Sequence, residues 1–245
     1  MNIVLVHGTW HGGWMWRDVK AQLELQGHRV YSPSCTGCGD RIHLTGPDVG
    51  LMTHAMDIIN IIKVNQLEEV VLVGHSFAGV TITVVADLLA ERLRELIFID
   101  ALAPAGDVIT CVPRDKETGE LPEWWRIREK KFIDGYQMSF WDEYPMEMLL
   151  PEDAVEERAR VIRLITTHPA RQWSDQYSLQ NGGWSQLKRS YVHCSGQAYR
   201  KSSPFMWGEA KKPGWNYLDL SIPRDGMLTH PQLVAASILN FMESD

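Results

Sequence analysis

The stretch Val70-Val71-Leu72-Val73-Gly74-His75-Ser76-Phe77-Ala78-Gly79 decides the fold. Four consecutive β-formers with no polar break read as a strand buried on both faces. A serine then arrives between small residues, and Val80 to Arg92 follows with helical periodicity. A sharp turn from strand to helix strains the backbone of the residue at its apex and requires small residues two positions to either side. Gly74 and Ala78 meet that requirement, so the turn reads G-x-S-x-A, a near match to the nucleophile elbow. Such a turn lifts the Ser76 hydroxyl off the sheet and sets it at a helix start. There the backbone N–H of Phe77 and the helix dipole face any negative charge that develops. The plainer reading is a tight turn with an incidental serine; the flanking strand and helix favour the elbow.

Length and charge bound the rest. The chain has 245 residues and a formal net charge of −7. That length suits one α/β domain with an inserted lid. The acidic balance argues against nucleic acid or an anionic membrane as partner. No apolar run reaches the length of a membrane span, and Met1 leads straight into a strand, so a cytoplasmic protein is expected. The four cysteines fit reduced thiols. Cys35-x-x-Cys38 has the spacing of half a zinc site, but Cys111 and Cys194 supply no second pair, so neither metal nor cofactor is expected.

In chain order, Ile3-Val4-Leu5-Val6 is a short buried strand that ends in the glycine-rich loop His7-Gly8-Thr9-Trp10-His11-Gly12-Gly13-Trp14. In a serine hydrolase this loop supplies the second oxyanion N–H, here Thr9. His7 and His11 are read as local hydrogen-bonding residues that hold the loop. Trp16, Val19 and Leu23 mark a helix face, His28 to Ser32 a strand, Leu51 to Asn65 an amphipathic helix, and Leu96 to Ile99 a strand that closes at Asp100. Strands alternating with helices at this spacing predict a doubly wound, mostly parallel sheet. The rhythm breaks from Pro104 to Asn181, so residues 104–181 are expected to form a helical cap inserted into a core of residues 1–103 and 182–245. The cap would lie over the C-terminal strand ends, where ligands bind in open α/β sheets. Trp10, Trp124 and Trp125 are candidate pocket residues, with the cap's own core as the alternative. The pattern resumes with Ser190 to Cys194 and Asn216 to Leu220, and a helix runs from Pro231 to Glu243.

Val6 to Trp14, Thr36-Gly37-Cys38-Gly39-Asp40, Gly74 to Gly79, and Met227-Leu228-Thr229-His230-Pro231 together resemble the α/β-hydrolases. The similarity is to the branch of bacterial esterase-like proteins, plant methylesterases and plant hydroxynitrile lyases. The resemblance implies Ser76 as nucleophile and Thr9 and Phe77 as oxyanion donors. It also implies an acid just after the strand that ends at Cys194, and a histidine in the loop after Leu220. In this sequence the acid position falls on Gln197 and the histidine position on Arg224. Glutamine is never an anion, and a guanidinium keeps its proton at any working pH, so the base and its orienting acid both look replaced.

His230 is a candidate alternate base, although a place at the start of the last helix suits it better. His75, next to Ser76, should point away from it. Asp100 sits where some α/β-hydrolases keep an alternate acid, but with no histidine it has nothing to orient. Arg224 either puts a fixed cation beside Ser76 or is a surface residue paired with Asp225. The expected function is an enzyme acting on a small carbonyl compound, aromatic or polycyclic, by a non-hydrolytic reaction: rearrangement, elimination, cyclisation or decarboxylation. Two alternatives stand beside it, a carboxylic-ester or lactone hydrolase with a recruited histidine, and an inactive member that binds a ligand or partner. A homodimer is compatible with the sequence, which does not fix the oligomeric state.

Overall fold

A computed structural model describes residues 1–196 and 208–243. Ten strands are found among the described residues: β1 (Asn2–Val6), β2 (Arg29–Tyr31), β3 (Val70–His75), β4 (Leu93–Ile99), β5 (Val108–Ile109), β6 (Gln137–Met138), β7 (His168–Pro169), β8 (Tyr177–Ser178), β9 (Lys188–Cys194) and β10 (Asn216–Leu220). The helices are α1 (Arg17–Leu25), α2 (Leu51–Val64), α3 (Ala78–Leu89), α4 (Glu123–Glu129), α5 (Val155–Leu164), α6 (Arg171–Ser174), α7 (Gly226–Thr229) and α8 (Pro231–Glu243).

Six strands form one sheet in the order β10-β9-β4-β3-β1-β2, and every pairing in it is parallel. Parallel strands are covered by helices on both faces, which is why β3 is buried at every position and reads as an unbroken apolar run. The chain goes from β1 outward to β2 and then returns to place β3 on the other side of β1. At that reversal the loops leaving β1 and β3 diverge, and a crevice opens at the carboxyl ends of the strands. Ser76 and the loop that starts at His7 both lie there.

Residues 104–181 carry helices and, beyond the expectation, short strands. Alongside α4, α5 and α6 they carry two antiparallel ribbons, β5 with β8 and β6 with β7. β5 and β8 lie near the two ends of the segment, with Ile109 opposite Tyr177, so their pairing pinches the segment where it leaves and rejoins the sheet. Asp87 of α3 reinforces the return. It is buried, and its carboxylate accepts hydrogen bonds from the Tyr177 hydroxyl (2.7 Å) and from the N–H groups of Gln180, Asn181 and Gly183 (2.8 Å each).

Candidate active site

Ser76 has φ 57, in the left-handed region that non-glycine residues rarely enter, and it sits between β3 and α3. This is the strained apex that the spacing predicts. Two bonds brace it: the Ser76 N–H donates to the Ile99 carbonyl (3.3 Å), and the Ser76 carbonyl accepts from the Leu102 N–H (2.9 Å). At Gly74 an added Cβ would lie 2.9 Å from Ile82 Cδ1 and 3.2 Å from the Ala78 carbonyl, so the first position of the elbow has no room for a side chain. The β1 loop closes on the serine from the other side. A Cβ at Gly8 would stand 2.7 Å from Ser76 Cβ, a contact only glycine permits.

Asp100 ends β4, one residue past the register pair His75–Ile99, so it emerges beside Ser76 on the neighbouring strand. It also has positive φ (40), and its N–H donates to the Val192 carbonyl at 2.7 Å. Arg224 reaches in from the loop between β10 and α7. Its Nη2 donates to Ser76 Oγ at 2.7 Å, and its Nη1 donates to Asp100 Oδ2. The Arg224 side chain is only 12% exposed and that of Asp100 4%, so the pair is screened from bulk water. Two expectations change here. Arg224 is paired with Asp100 and not with its neighbour Asp225, and Asp100 does have something to orient. Asp225, the next residue, meets the glycine-rich loop instead. It is fully buried, with Oδ2 2.9 Å from His11 Nε2 and Oδ1 3.8 Å from His75 Nε2.

The loop histidines do hold their segment. His7 Nδ1 bonds the Gly8 carbonyl (2.8 Å) and its Nε2 accepts from the Cys35 N–H (2.9 Å), while His11 Nδ1 bonds the Thr9 carbonyl (2.8 Å). Burial drives His7 and His75 down to about 3, so both rings are neutral. His75 faces Asp225, His11 and Trp16, away from the Ser76 hydroxyl. His230 precedes α8, and its Nδ1 lies 2.7 Å from Thr229 Oγ1, with no contact to Ser76 among the described residues. The alternate-base reading of His230 therefore lacks geometric support. Gln197 lies outside the described residues.

Thr9 and Phe77 come together under a tryptophan that sequence reasoning missed. Trp173 of α6 donates its indole N–H to Thr9 Oγ1 (3.0 Å) and stacks on the Phe77 ring with centroids 3.9 Å apart. Nothing in the local pattern around Arg171–Ser174 marks this residue, because its role depends on where the chain returns. Trp10 has φ 65 and is buried against Phe140, Tyr144 and Trp173. Trp125 is fully buried and stacks on Trp173 at 5.9 Å, so it belongs to this aromatic cluster. Trp124 points outward, 48% exposed. Arg128 packs over Trp173 at 4.9 Å and is held by Glu143 (2.9 Å). Neither the four described cysteines nor any other side chains gather as a metal-ligand cluster among the described residues.

A strained serine at a strand–helix turn, on a parallel sheet with a topological reversal beside it, is the architecture of an α/β-hydrolase fold. The alpha/beta hydrolase family matches residues 3–236, and the chain belongs to that family. It is 33% identical over 246 residues to a carbendazim-hydrolysing esterase from Nocardioides sp. (strain SG-4G), covering 97% of this chain and 98% of that protein. Methylesterase 3 of Arabidopsis thaliana is 24% identical over 202 residues, covering 79% of this chain and 77% of that protein. An extracellular α/β-hydrolase from a Paenibacillus species, described as sharing structural and functional homology with tobacco salicylic acid binding protein 2, superposes with a TM-score of 0.80. It is 18% identical and covers 98% of both chains, so that likeness speaks to the fold. No helix among the described residues is long and apolar enough to cross a membrane.

Proposed function

We propose that this protein is a carboxylic-ester or lactone hydrolase that acts through Ser76 on substrates whose leaving group needs no protonation. The observation that carries the reading is the Arg224 Nη2 bond of 2.7 Å to Ser76 Oγ at the elbow. A guanidinium takes up no proton, but as a fixed donor it stabilises an alkoxide on Oγ. Asp100 holds the other end of the guanidinium and compensates its charge, so Arg224 acts on the serine as a directed donor and not as a free cation.

As the bond from Oγ to the ester carbonyl carbon forms, the hydroxyl proton passes to hydroxide from solvent. The carbonyl oxygen takes up the negative charge facing the N–H groups of Thr9 and Phe77, neither of which donates elsewhere among the described residues. The carbon–oxygen bond then breaks, and a phenolate or a similarly weakly basic oxyanion leaves with its electron pair. Hydroxide attack on the acyl-serine releases the acid. Residues 104–181 serve as a cap in this reading, with Trp173 placed over the acyl site. The esterases among the relatives support hydrolysis as the reaction class.

The test is burst kinetics with p-nitrophenyl acetate, together with fluorophosphonate labelling. Acyl-enzyme should accumulate on Ser76, and Ser76→Ala should abolish both signals. If turnover is unchanged in Ser76→Ala, the nucleophile assignment fails. The exchange of a proton-accepting imidazole for Arg224 also favours a second reading. There the Arg-held hydroxyl polarises a carbonyl for elimination or decarboxylation without acyl transfer. Products formed from a β-keto acid or a cyanohydrin, with no serine acylation, would select it.

A further inference from the structure

We infer that His11 is held as a doubly protonated imidazolium strut that ties the Thr9 loop to the Arg224 loop, which makes it a positioning residue for the Ser76 site. Its Nδ1 lies 2.8 Å from the Thr9 carbonyl, and its Nε2 lies 2.9 Å from Asp225 Oδ2. A carbonyl and a carboxylate only accept, so both ring nitrogens must donate, and a neutral imidazole has a single N–H. The ring is 1% exposed and Asp225 is fully buried, so water supplies neither proton nor partner.

The surroundings fit. Burial opposes charging His11, but the Asp225 charge and its hydrogen bond, with the Thr9 carbonyl, outweigh that opposition and raise the histidine above its ordinary value; Arg224 acts the other way. Asp225 is the mirror case: burial pushes it up, and His11, with smaller help from His75 and Arg224, brings it below the carboxylate range. The other faces of the ring meet Trp14 at 5.4 Å and His75 at 6.3 Å, the latter neutral, so Arg224 is the one competing cation described nearby.

The consequence is mechanical. Thr9 and Arg224 contribute to the same centre from opposite ends of the chain, and the strut fixes their separation. One of its N–H groups sets the plane of the peptide that follows Thr9. The other anchors the residue after Arg224, whose N–H is also fixed on the Leu149 carbonyl at 3.1 Å. A buried charge pair of this kind is weak evidence of stability, but it fixes a register well.

This role rests on the hydrolase reading, while its first test does not. In a long-range 15N–1H spectrum of the intact protein, the His11 ring, assigned through His11→Gln, should keep both nitrogens protonated at a pH where an ordinary histidine has already lost one proton. In Asp225→Asn it should titrate at or below its ordinary value. A wild-type ring that loses its proton at or below the ordinary histidine value, or identical titrations in the two proteins, would overturn the inference whatever the enzyme catalyses. His11→Gln keeps one donor and loses the other, so Ser76 should label with fluorophosphonate about ten- to a hundredfold more slowly. The wild type should lose labelling relative to His11→Gln as pH rises through the imidazolium's titration. A folded His11→Gln protein, verified by its melting curve, that labels at the wild-type rate across that range would show that the strut positions nothing.

Discussion

Arg224 Nη2 stands 2.7 Å from Ser76 Oγ while its Nη1 is bound to Asp100, so the three side chains repeat the linear order of a serine triad with a guanidinium in the middle. An imidazole there would take the serine proton. A guanidinium only gives a hydrogen bond, so under the proposed mechanism it would stabilise the product of deprotonation without accepting the proton.

Removing that donor should therefore slow acylation without unfolding the protein. A charge-assisted hydrogen bond contributes on the order of 1.5–3 kcal/mol. Arg224→Ala should slow the Ser76 acylation burst by about ten- to a hundredfold, measured by stopped-flow with p-nitrophenyl acetate. Equal burst rates would remove Arg224 from the reacting centre.

The pH profile separates a guanidinium from an imidazole. With hydroxide as proton acceptor, kcat/KM for an activated ester should rise about tenfold per pH unit between about pH 6 and 8, without the inflection a histidine base produces. A plateau reached near pH 7 would mean that a histidine has taken the role of base.

Arg224→His should recover much of an ordinary esterase, because Asp100 already lies where it can orient residue 224. General-base assistance contributes roughly a hundred- to ten-thousandfold, so p-nitrophenyl ester turnover should rise by a figure in that range. Adding Asp100→Asn should remove most of the gain, since triad members act as a unit. A gain that survives Asp100→Asn would point to an acid elsewhere.

Trp173→Phe keeps the ring stacked on Phe77 but deletes the N–H that holds Thr9 Oγ1. With one neutral hydrogen bond lost, acylation should fall by about three- to tenfold while the melting temperature changes little. Thr9→Ser retains the hydroxyl and should behave like the wild type. If Trp173→Phe and wild type acylate alike, the indole is packing only.

Asp87→Asn tests the anchor between α3 and the end of the 104–181 segment. Burial pushes the Asp87 carboxyl up, but its bonds from Gln180, Tyr177, Gly183 and Asn181 pull it below its ordinary value. A folded-state value below the unfolded one contributes stability that is present above about pH 4 and is lost as pH falls through the folded value. Denaturant unfolding at pH 7 should show a loss of about 2–4 kcal/mol in Asp87→Asn, and the difference from wild type should shrink toward pH 3. A difference that does not depend on pH would assign the loss to packing.

The sequence by itself determined the sheet strands and the strained turn at Ser76. The β3 run and the small residues around Ser76 encode a strand and a sharp turn, both of which depend on neighbours within a few positions. The boundaries of β10 and α8 agree with the pattern for the same reason. Tertiary structure alone decided the partners. Whether Arg224 meets Asp225 or Asp100 depends on which way one loop peptide faces, and Asp100 is more than a hundred residues away in the chain. Trp173 reaches Thr9 across 164 positions, and His11 reaches Asp225 across 214. Periodicity carries no record of such meetings. They arise because a parallel sheet gathers the carboxyl ends of its strands at one edge, and burial there leaves a polar group stable only where the fold supplies its partner.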